Sequence, residues 1–157
     1  MSVNLRAVVI EPGEDDYLEE AWELKERIRR SEGILKQRKG FFADSYRRAK
    51  VHAIIIDGEL GGFTAVRPDG YILFLAIDAR YRGKGLGRQL IERVAKNHET
   101  VTCHARATNE QALKFYQSVG FEAERHIEGY YEDGGDAYYL RLGGEGGITD
   151  RISEILR

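Results

Sequence analysis

The hydrophobic pattern changes period several times along this chain, and each change marks an element. Residues 5–10, LRAVVI, are a short apolar run that predicts a first strand. Over residues 15–30 the apolar positions Leu18, Ala21, Trp22 and Ile28 return at helical spacing, which predicts a helix. SEGILKQRKG is less regular and reads as a connection, and FFADSYRRAK as a second, short helix. The period then shortens. VHAIIID, LGGFTAVR and YILFLAI are rich in β-branched and aromatic residues and are separated by DGE and PDG. Asp-Gly steps between such runs are hairpin signals, so the middle of the chain predicts an antiparallel meander.

Helical spacing returns over residues 85–98, with Leu86, Leu90 and Val94 on one face and Arg88, Glu92, Arg93 and Lys96 mostly elsewhere. VTCHA predicts a strand. Thr108 and Gln111 have capping-box spacing, which starts another helix there, and Gly120 suits its C-terminal cap. FEAERHIEG and DAYYLRL predict two closing strands joined by YYEDGG. This order of elements predicts a single-domain α/β fold over residues 1–142, a mixed and mostly antiparallel central sheet flanked by helices. GGEGG, residues 143–147, reads as a flexible linker. ITDRISEILR, residues 148–157, carries Ile148, Ile152, Ile155 and Leu156 at helical spacing and reads as an amphipathic tail, suited to packing on its own domain or to joining two copies as a homodimer.

Composition narrows the picture without changing it. A chain of 157 residues is long enough for one well-cored domain. A net charge of -2 gives no reason to expect nucleic acid, and the basic runs KERIRR, KQRK and YRRAK read as solvated helix faces. The one cysteine, Cys103, allows no intrachain disulfide, which predicts a reducing, cytoplasmic setting. No run approaches 18 apolar residues, so no membrane span is expected. The histidines are scattered and predict no metal site.

The candidate chemistry lies in RGKGLG, residues 82–87, between the third meander run and a helix. Glycines cost a helix stability, so three in six residues need a reason. A Walker loop is excluded, because GK followed by Ser or Thr is missing. The dinucleotide fingerprint is excluded too: the spacing is GxGxG, and the preceding strand ends a meander. What remains is a glycine turn at a helix N-terminus with Arg82, Lys84 and Arg88 around it, which fits either a pyrophosphate or a plain tight turn with solvated cations.

The context resembles a known family. AIDARYRGKGLGRQLI, followed about twenty residues later by ARATNEQALKFYQSVGF, closely resembles the GCN5-related N-acetyltransferase family over roughly residues 5–142. Arg82, Gly85 and Gly87 match its first motif; Asn109, Ala112, Tyr116, Gly120 and Phe121 match its second. The resemblance implies acetyl-CoA as donor, with the backbone of Arg82, Gly83, Lys84, Gly85, Leu86, Gly87 and Arg88 on its pyrophosphate. It implies pantetheine pairing along Leu75, Ala76 and Ile77, a strand that relatives often bulge so that an N–H meets the thioester carbonyl, and Asn109 and Ala112 near CoA. HIEGYYEDGGDAYYLRL is similar to the end of the protein N-terminal and ribosomal-protein alanine acetyltransferases, where a pair matching Tyr130 and Tyr131 lines the peptide groove. The acceptor implied is a protein N-terminal peptide, with the ribosome or a nascent chain as a possible meeting place.

Acetyl transfer needs a neutral amine. About a tenth of α-amines, with pKa near 8, are neutral at pH 7, whereas deprotonating a lysine costs roughly 4.6 kcal/mol there. A modest base therefore serves an N-terminus. The resemblance implies His104 as that base, Tyr116 as the acid for the leaving thiolate, and Tyr81 as a helper in deprotonation or a packing anchor for the loop. Cys103 alternates to the strand face opposite His104 and reads as a small buried hydrophobe. Glu23, Glu26 and Glu32 are alternative bases, read here as solvated. The competing functions are acetylation of a small-molecule amine or a lysine side chain, and a module that holds acyl-CoA without turnover.

Overall fold

The computed structural model describes residues 3–144. The expected linker from Glu145 onward and the amphipathic tail lie outside the described residues. The elements are β1 (Leu5–Ile10), α1 (Leu18–Glu32), α2 (Lys39–Arg48), β2 (Lys50–Ile56), β3 (Glu59–Val66), β4 (Ile72–Ile77), a 3-10 turn (Ala79–Tyr81), α3 (Leu86–Lys96), β5 (Thr100–Arg106), α4 (Glu110–Ser118), β6 (Glu122–Ile127) and β7 (Ala137–Gly143). The α/β class and the antiparallel pairing are as expected. The strands divide into two sheets, ordered β1-β2-β3-β4 and β5-β7-β6. The chain falls into two compact units, Met1–Val94 and Ala95–Arg157.

In the first unit the period-two pattern of β2 sends successive residues to opposite faces. Val51, Ala53 and Ile55 join Phe63, Ala65, Phe74 and Ala76 under Leu18, Ala21, Leu24 and Ile28 of α1 and Phe42 and Tyr46 of α2. Phe42 is the centre of this core, with ring centroids of Trp22, Tyr46, Phe63 and Phe74 at 5.6, 6.0, 6.1 and 4.7 Å. Truncating such a buried ring costs about 3–5 kcal/mol. On the other face Ile54 and Ile56 meet Leu86 and Leu90 of α3, with Leu75, Ile77 and Tyr81 packed alongside.

Three local readings are corrected. First, α1 starts at Leu18, because Tyr17 takes the cap position in a left-handed conformation with φ 64°, and the helix runs on to a cap at Gly33. Second, Lys25 of the KERIRR run is wholly buried. Its ammonium donates to the Gln37 carbonyl and to Glu26 and lies 4.5 Å from the Trp22 ring, while burial pulls its pKa down. Third, the cap of α4 is Asn109, whose Oδ1 accepts from the Ala112 N–H at 3.1 Å, and Thr108 precedes it. Gly120 follows that helix with φ 106°.

Candidate active site

In the first unit, β4 is the terminal strand of its sheet, paired with β3 from Gly62↔Ile77 to Thr64↔Leu75. Leu75, Ala76 and Ile77 are therefore held in regular register. The register slips where Ala65 faces Phe74 and Val66 faces Ile72, which leaves Leu73 as the extra residue. The strand is therefore irregular two residues before Leu75, whereas the bulge that the resemblance implied falls at Leu75–Ile77, which stay in regular register. The end of β4 also lies very close to β3: a Cβ at Gly62 would stand 2.7 Å from Ile77 Cδ1 and 3.1 Å from the Ala76 carbonyl.

The turn after β4 is fixed by a buried carboxylate. Asp78 accepts from the Arg80 N–H at 3.0 Å, from Arg80 Nε at 3.1 Å and Nη2 at 3.0 Å, and from Arg27 Nη2 at 3.2 Å. Burial pushes the Asp78 pKa up, but the Arg80 hydrogen bonds and the two guanidinium charges outweigh it and hold the carboxyl below its ordinary range. Tyr81 packs on the Ile54, Ile56, Leu86 and Leu90 cluster, with the Arg80 guanidinium 5.1 Å from its ring. This packing is one of the two roles left open for Tyr81, beside help in deprotonation.

Gly83 and Gly85 then take φ values of 77° and 82°, a region that L residues enter only at a cost. A Cβ on either would meet nothing within 4 Å, so the loop is open to an approaching group. The Gly85 carbonyl accepts the first helical bond, from Gln89 at 3.0 Å. Leu86 and Gly87 therefore stand in the first turn of α3, where N–H groups have no carbonyl of their own helix to bond. No acidic residue enters that turn, and Lys84 and Arg88 are exposed beside it. This arrangement fits a diphosphate: open glycine backbone, helix N-terminus and cations together.

Arg82 differs from the expectation. Its Nε donates to the Ile77 carbonyl at 3.2 Å, and its two terminal nitrogens pair with Glu32 at 2.9 and 2.7 Å. Glu32 was expected to be solvated; it is the last residue of α1 and is held in this pair. Glu26 is likewise engaged, by Lys25 and Arg29. Glu23 is exposed.

In the second unit, β5 alternates as expected: Val101, Cys103 and Ala105 are buried, Thr102 and His104 less so. The His104 ring stacks on Tyr130 at 4.2 Å and 12°, and lies 5.1 Å from Tyr139, its partner across the β5–β7 ladder. Tyr130 Oη is 3.4 Å from His104 Nδ1. Desolvation lowers the His104 pKa, and Arg125 lowers it further. Arg125 stacks 4.7 Å over Tyr139, so the cation acts from the far side of that ring. Both causes favour the neutral imidazole over the imidazolium.

Tyr130 is 44% exposed and meets Tyr131 edge-on at 5.0 Å and 88°. Tyr131 carries the Arg106 guanidinium 4.0 Å from its ring, and Arg106 pairs with Asp133 at 3.1 Å. Burial pushes the Tyr131 pKa up to about 12. Tyr116 is buried between Phe115 and Phe121, with centroids at 5.3 and 5.0 Å, in hydrogen-bonding contact with Cys103. Burial raises the Cys103 thiol to about 12, so it is protonated and no nucleophile at neutral pH. Asn109 gives its Oδ1 to the α4 cap, where Ala112 supplies the N–H. The structure thus groups His104 with Tyr130 and Tyr131, and the 75–77 strand end with the 82–88 loop and Tyr81. Sequence reasoning missed Asp78, Arg125 and Tyr139, and offered Glu32 only as an alternative base, whereas it is paired with Arg82; only the alternation of DAYYLRL hinted at Tyr139. Among the described residues no cluster suited to a metal ion occurs, and no helix is long and apolar enough to cross a membrane.

Three comparisons bear on this geometry. A family model described as an acetyltransferase (GNAT) domain matches residues 31–135. N-alpha-acetyltransferase 30 of Xenopus laevis is 37% identical over 78 residues, which are 46% of this chain and 29% of that protein, so the match spans less than a third of the relative's own length. Among solved structures, the ribosomal-protein-S18-alanine N-acetyltransferase of Escherichia coli has a similar fold, with a TM-score of 0.70 and 23% identity over 90% of this chain and 98% of that one. An Arabidopsis thaliana protein solved with the bisubstrate analogue CoA-Ac-MVNAL superposes with a TM-score of 0.66 and 25% identity, over 92% of this chain and 100% of that one.

Proposed function

This chain belongs to the GNAT acetyltransferase family, and on that premise we propose that it transfers the acetyl group of acetyl-CoA to the α-amine of a protein or peptide N-terminus. The observation that carries the acceptor side is the stacking of the His104 imidazole on the exposed ring of Tyr130, next to Tyr131. The similarity to N-alpha-acetyltransferases supports the same acceptor class.

The residues divide the work. The open loop from Arg82 to Arg88 and the N-terminus of α3 hold the donor's diphosphate, and Leu75, Ala76 and Ile77 offer backbone partners to its pantetheine arm. An N–H of this irregular strand is suited to the thioester oxygen, where negative charge develops as the amine attacks. Tyr130 and Tyr131 present aromatic surface to the first residues of the peptide. His104 takes the proton of the attacking amine; its depressed pKa keeps the acceptor form of the ring populated at neutral pH. Tyr116 supplies a proton to the departing thiolate, and Asn109 keeps the start of α4 in place. Tyr81 anchors the loop by packing.

A weak base selects its substrate. An α-amine needs about 1.4 kcal/mol to lose its proton at pH 7, and a lysine roughly 4.6. The difference, about 3 kcal/mol, is more than two orders of magnitude in the population of attacking amine. The test is acetyl transfer from acetyl-CoA to short peptides that vary in residues one and two, with blocked-terminus lysine peptides and a small polyamine as controls. Free N-termini are expected to be acetylated at least about a hundred-fold faster than lysines. Acetylation confined to the lysine or polyamine controls would overturn the reading.

A further inference from the structure

Glu32 and Arg82 are fifty positions apart and meet as a two-point ion pair, Nη1 to Oε1 at 2.9 Å and Nη2 to Oε2 at 2.7 Å. Their side chains are 26% and 29% exposed, on the wall of a cleft of about 830 Å3 that also carries Arg27, Glu59 and Asp78. The fork that grips a carboxylate at two points is the same fork that grips a phosphate. It cannot present the same two N–H groups to both. We propose that Glu32 is an internal competitor for the donor's diphosphate: it holds the Arg82 fork, sets donor affinity below what the loop would otherwise give, and yields the fork when the donor binds. This rests on the reading of residues 82–88 as the diphosphate loop.

The surrounding contacts separate competition from a purely structural tie. The loop keeps its shape through other bonds, because Arg82 Nε is anchored to the Ile77 carbonyl and the preceding turn is fixed by Asp78, Arg80 and Arg27. Glu32 also stands in the last turn of α1, the negative end of a helix, where a carboxylate is disfavoured and Arg29 and Arg30 are the favourable occupants. Helix stability therefore gives Glu32 no reason to be acidic; its partner Arg82 does. Electrically, the pair cancels one of the three cations, Arg82, Lys84 and Arg88, that flank the loop.

The experiment measures Kd calorimetrically for CoA and for S-acetylpantetheine, which lacks the diphosphate, on the wild type, Glu32→Gln, Arg82→Gln and the double variant. Glu32→Gln keeps the shape of the side chain and removes its charge. It is expected to tighten CoA about five-fold at low salt, with the gain fading at high salt. S-acetylpantetheine should be unaffected, and the gain should vanish once Arg82 is replaced. Unchanged or weaker CoA binding by Glu32→Gln, or an equal gain without Arg82, overturns the proposal. Should the Arg82 variants fail to fold, the salt series on Glu32→Gln decides, since a gain indifferent to salt overturns it as well. A folded wild type that binds no CoA at all would instead overturn the donor reading.

Discussion

Replacing Gly85 by alanine separates two demands that the loop makes on the same residue. The first is conformational. Gly85 sits at φ 82°, and placing an L residue in the left-handed region costs roughly 1–2 kcal/mol. Alanine recovers about 0.4–1 kcal/mol by narrowing the unfolded ensemble. No steric term is added, because a Cβ there meets nothing within 4 Å. The net loss is therefore about 1 kcal/mol, or roughly 2–4 °C in Tm for a chain of this size. The second demand is access. The new methyl stands in the open space through which a diphosphate would reach the loop backbone, so CoA affinity should fall at least about ten-fold, more than the fold-stability loss explains. Denaturant unfolding with and without CoA measures both quantities on one preparation, since a bound ligand adds stability in proportion to its affinity. A variant that loses its 1 kcal/mol and keeps its CoA affinity within two-fold would show that the loop is only a tight turn. A loss above about 3 kcal/mol would refute the open surroundings from which the magnitude was worked.

His104→Gln should lower kcat by about 10²–10⁴ and remove the acid limb of the kcat profile at saturating peptide, where titration of the free amine no longer enters, while a retained limb would assign the base elsewhere. The sign follows from the active form: neutral imidazole accepts the proton, so wild-type activity is lost as pH falls through the His104 pKa, which desolvation and then Arg125 hold below the ordinary value of 6.5. Arg125→Gln removes the second of these causes and should move the acid limb to higher pH; a limb that stays or moves down refutes the coupling. Asn109→Ala should cost about 1 kcal/mol in chemical denaturation through loss of the α4 cap. Asn109→Asp keeps a capping oxygen and hence the stability, so its denaturation midpoint should match that of the wild type.

The meander was legible because its signals are local: Asp-Gly turns and β-branched runs need only their neighbours to specify a hairpin. Helix ends were less so. Thr108 and Asn109 are adjacent residues that can both cap a helix, and spacing to Gln111 favoured the threonine although asparagine is the better capping residue; the bond formed is from Ala112 to Asn109. Tyr17 occupies a left-handed cap position that sequence preference assigns to glycine or asparagine. Lys25 lies in a charged run and reads as solvated. Its burial is decided by Trp22 and by a carbonyl twelve residues on, brought near only by the packing of α1 against the segment leading into α2.

The electrostatics of the candidate base were illegible for a sharper reason. Alternation along β5 placed His104 on its face correctly, but the charge that acts on it comes from two strands away. Tyr139 of β7 pairs with His104 on one side and with Arg125 on the other. That second pairing depends on a slip in the β6–β7 ladder: Ala123 faces Leu140 and Arg125 faces Tyr139, leaving Glu124 as the extra residue. In an unbroken ladder Glu124 would stand opposite Tyr139, because each step along one antiparallel strand is a step back along the other. A glutamate in the row of His104 would favour the imidazolium and push its pKa up. The bulge puts an arginine in that row instead, and the same residues then favour a neutral ring. One inserted residue reverses the sign of the field on the proposed base, while the residues themselves, their order and their hydrophobic pattern stay unchanged.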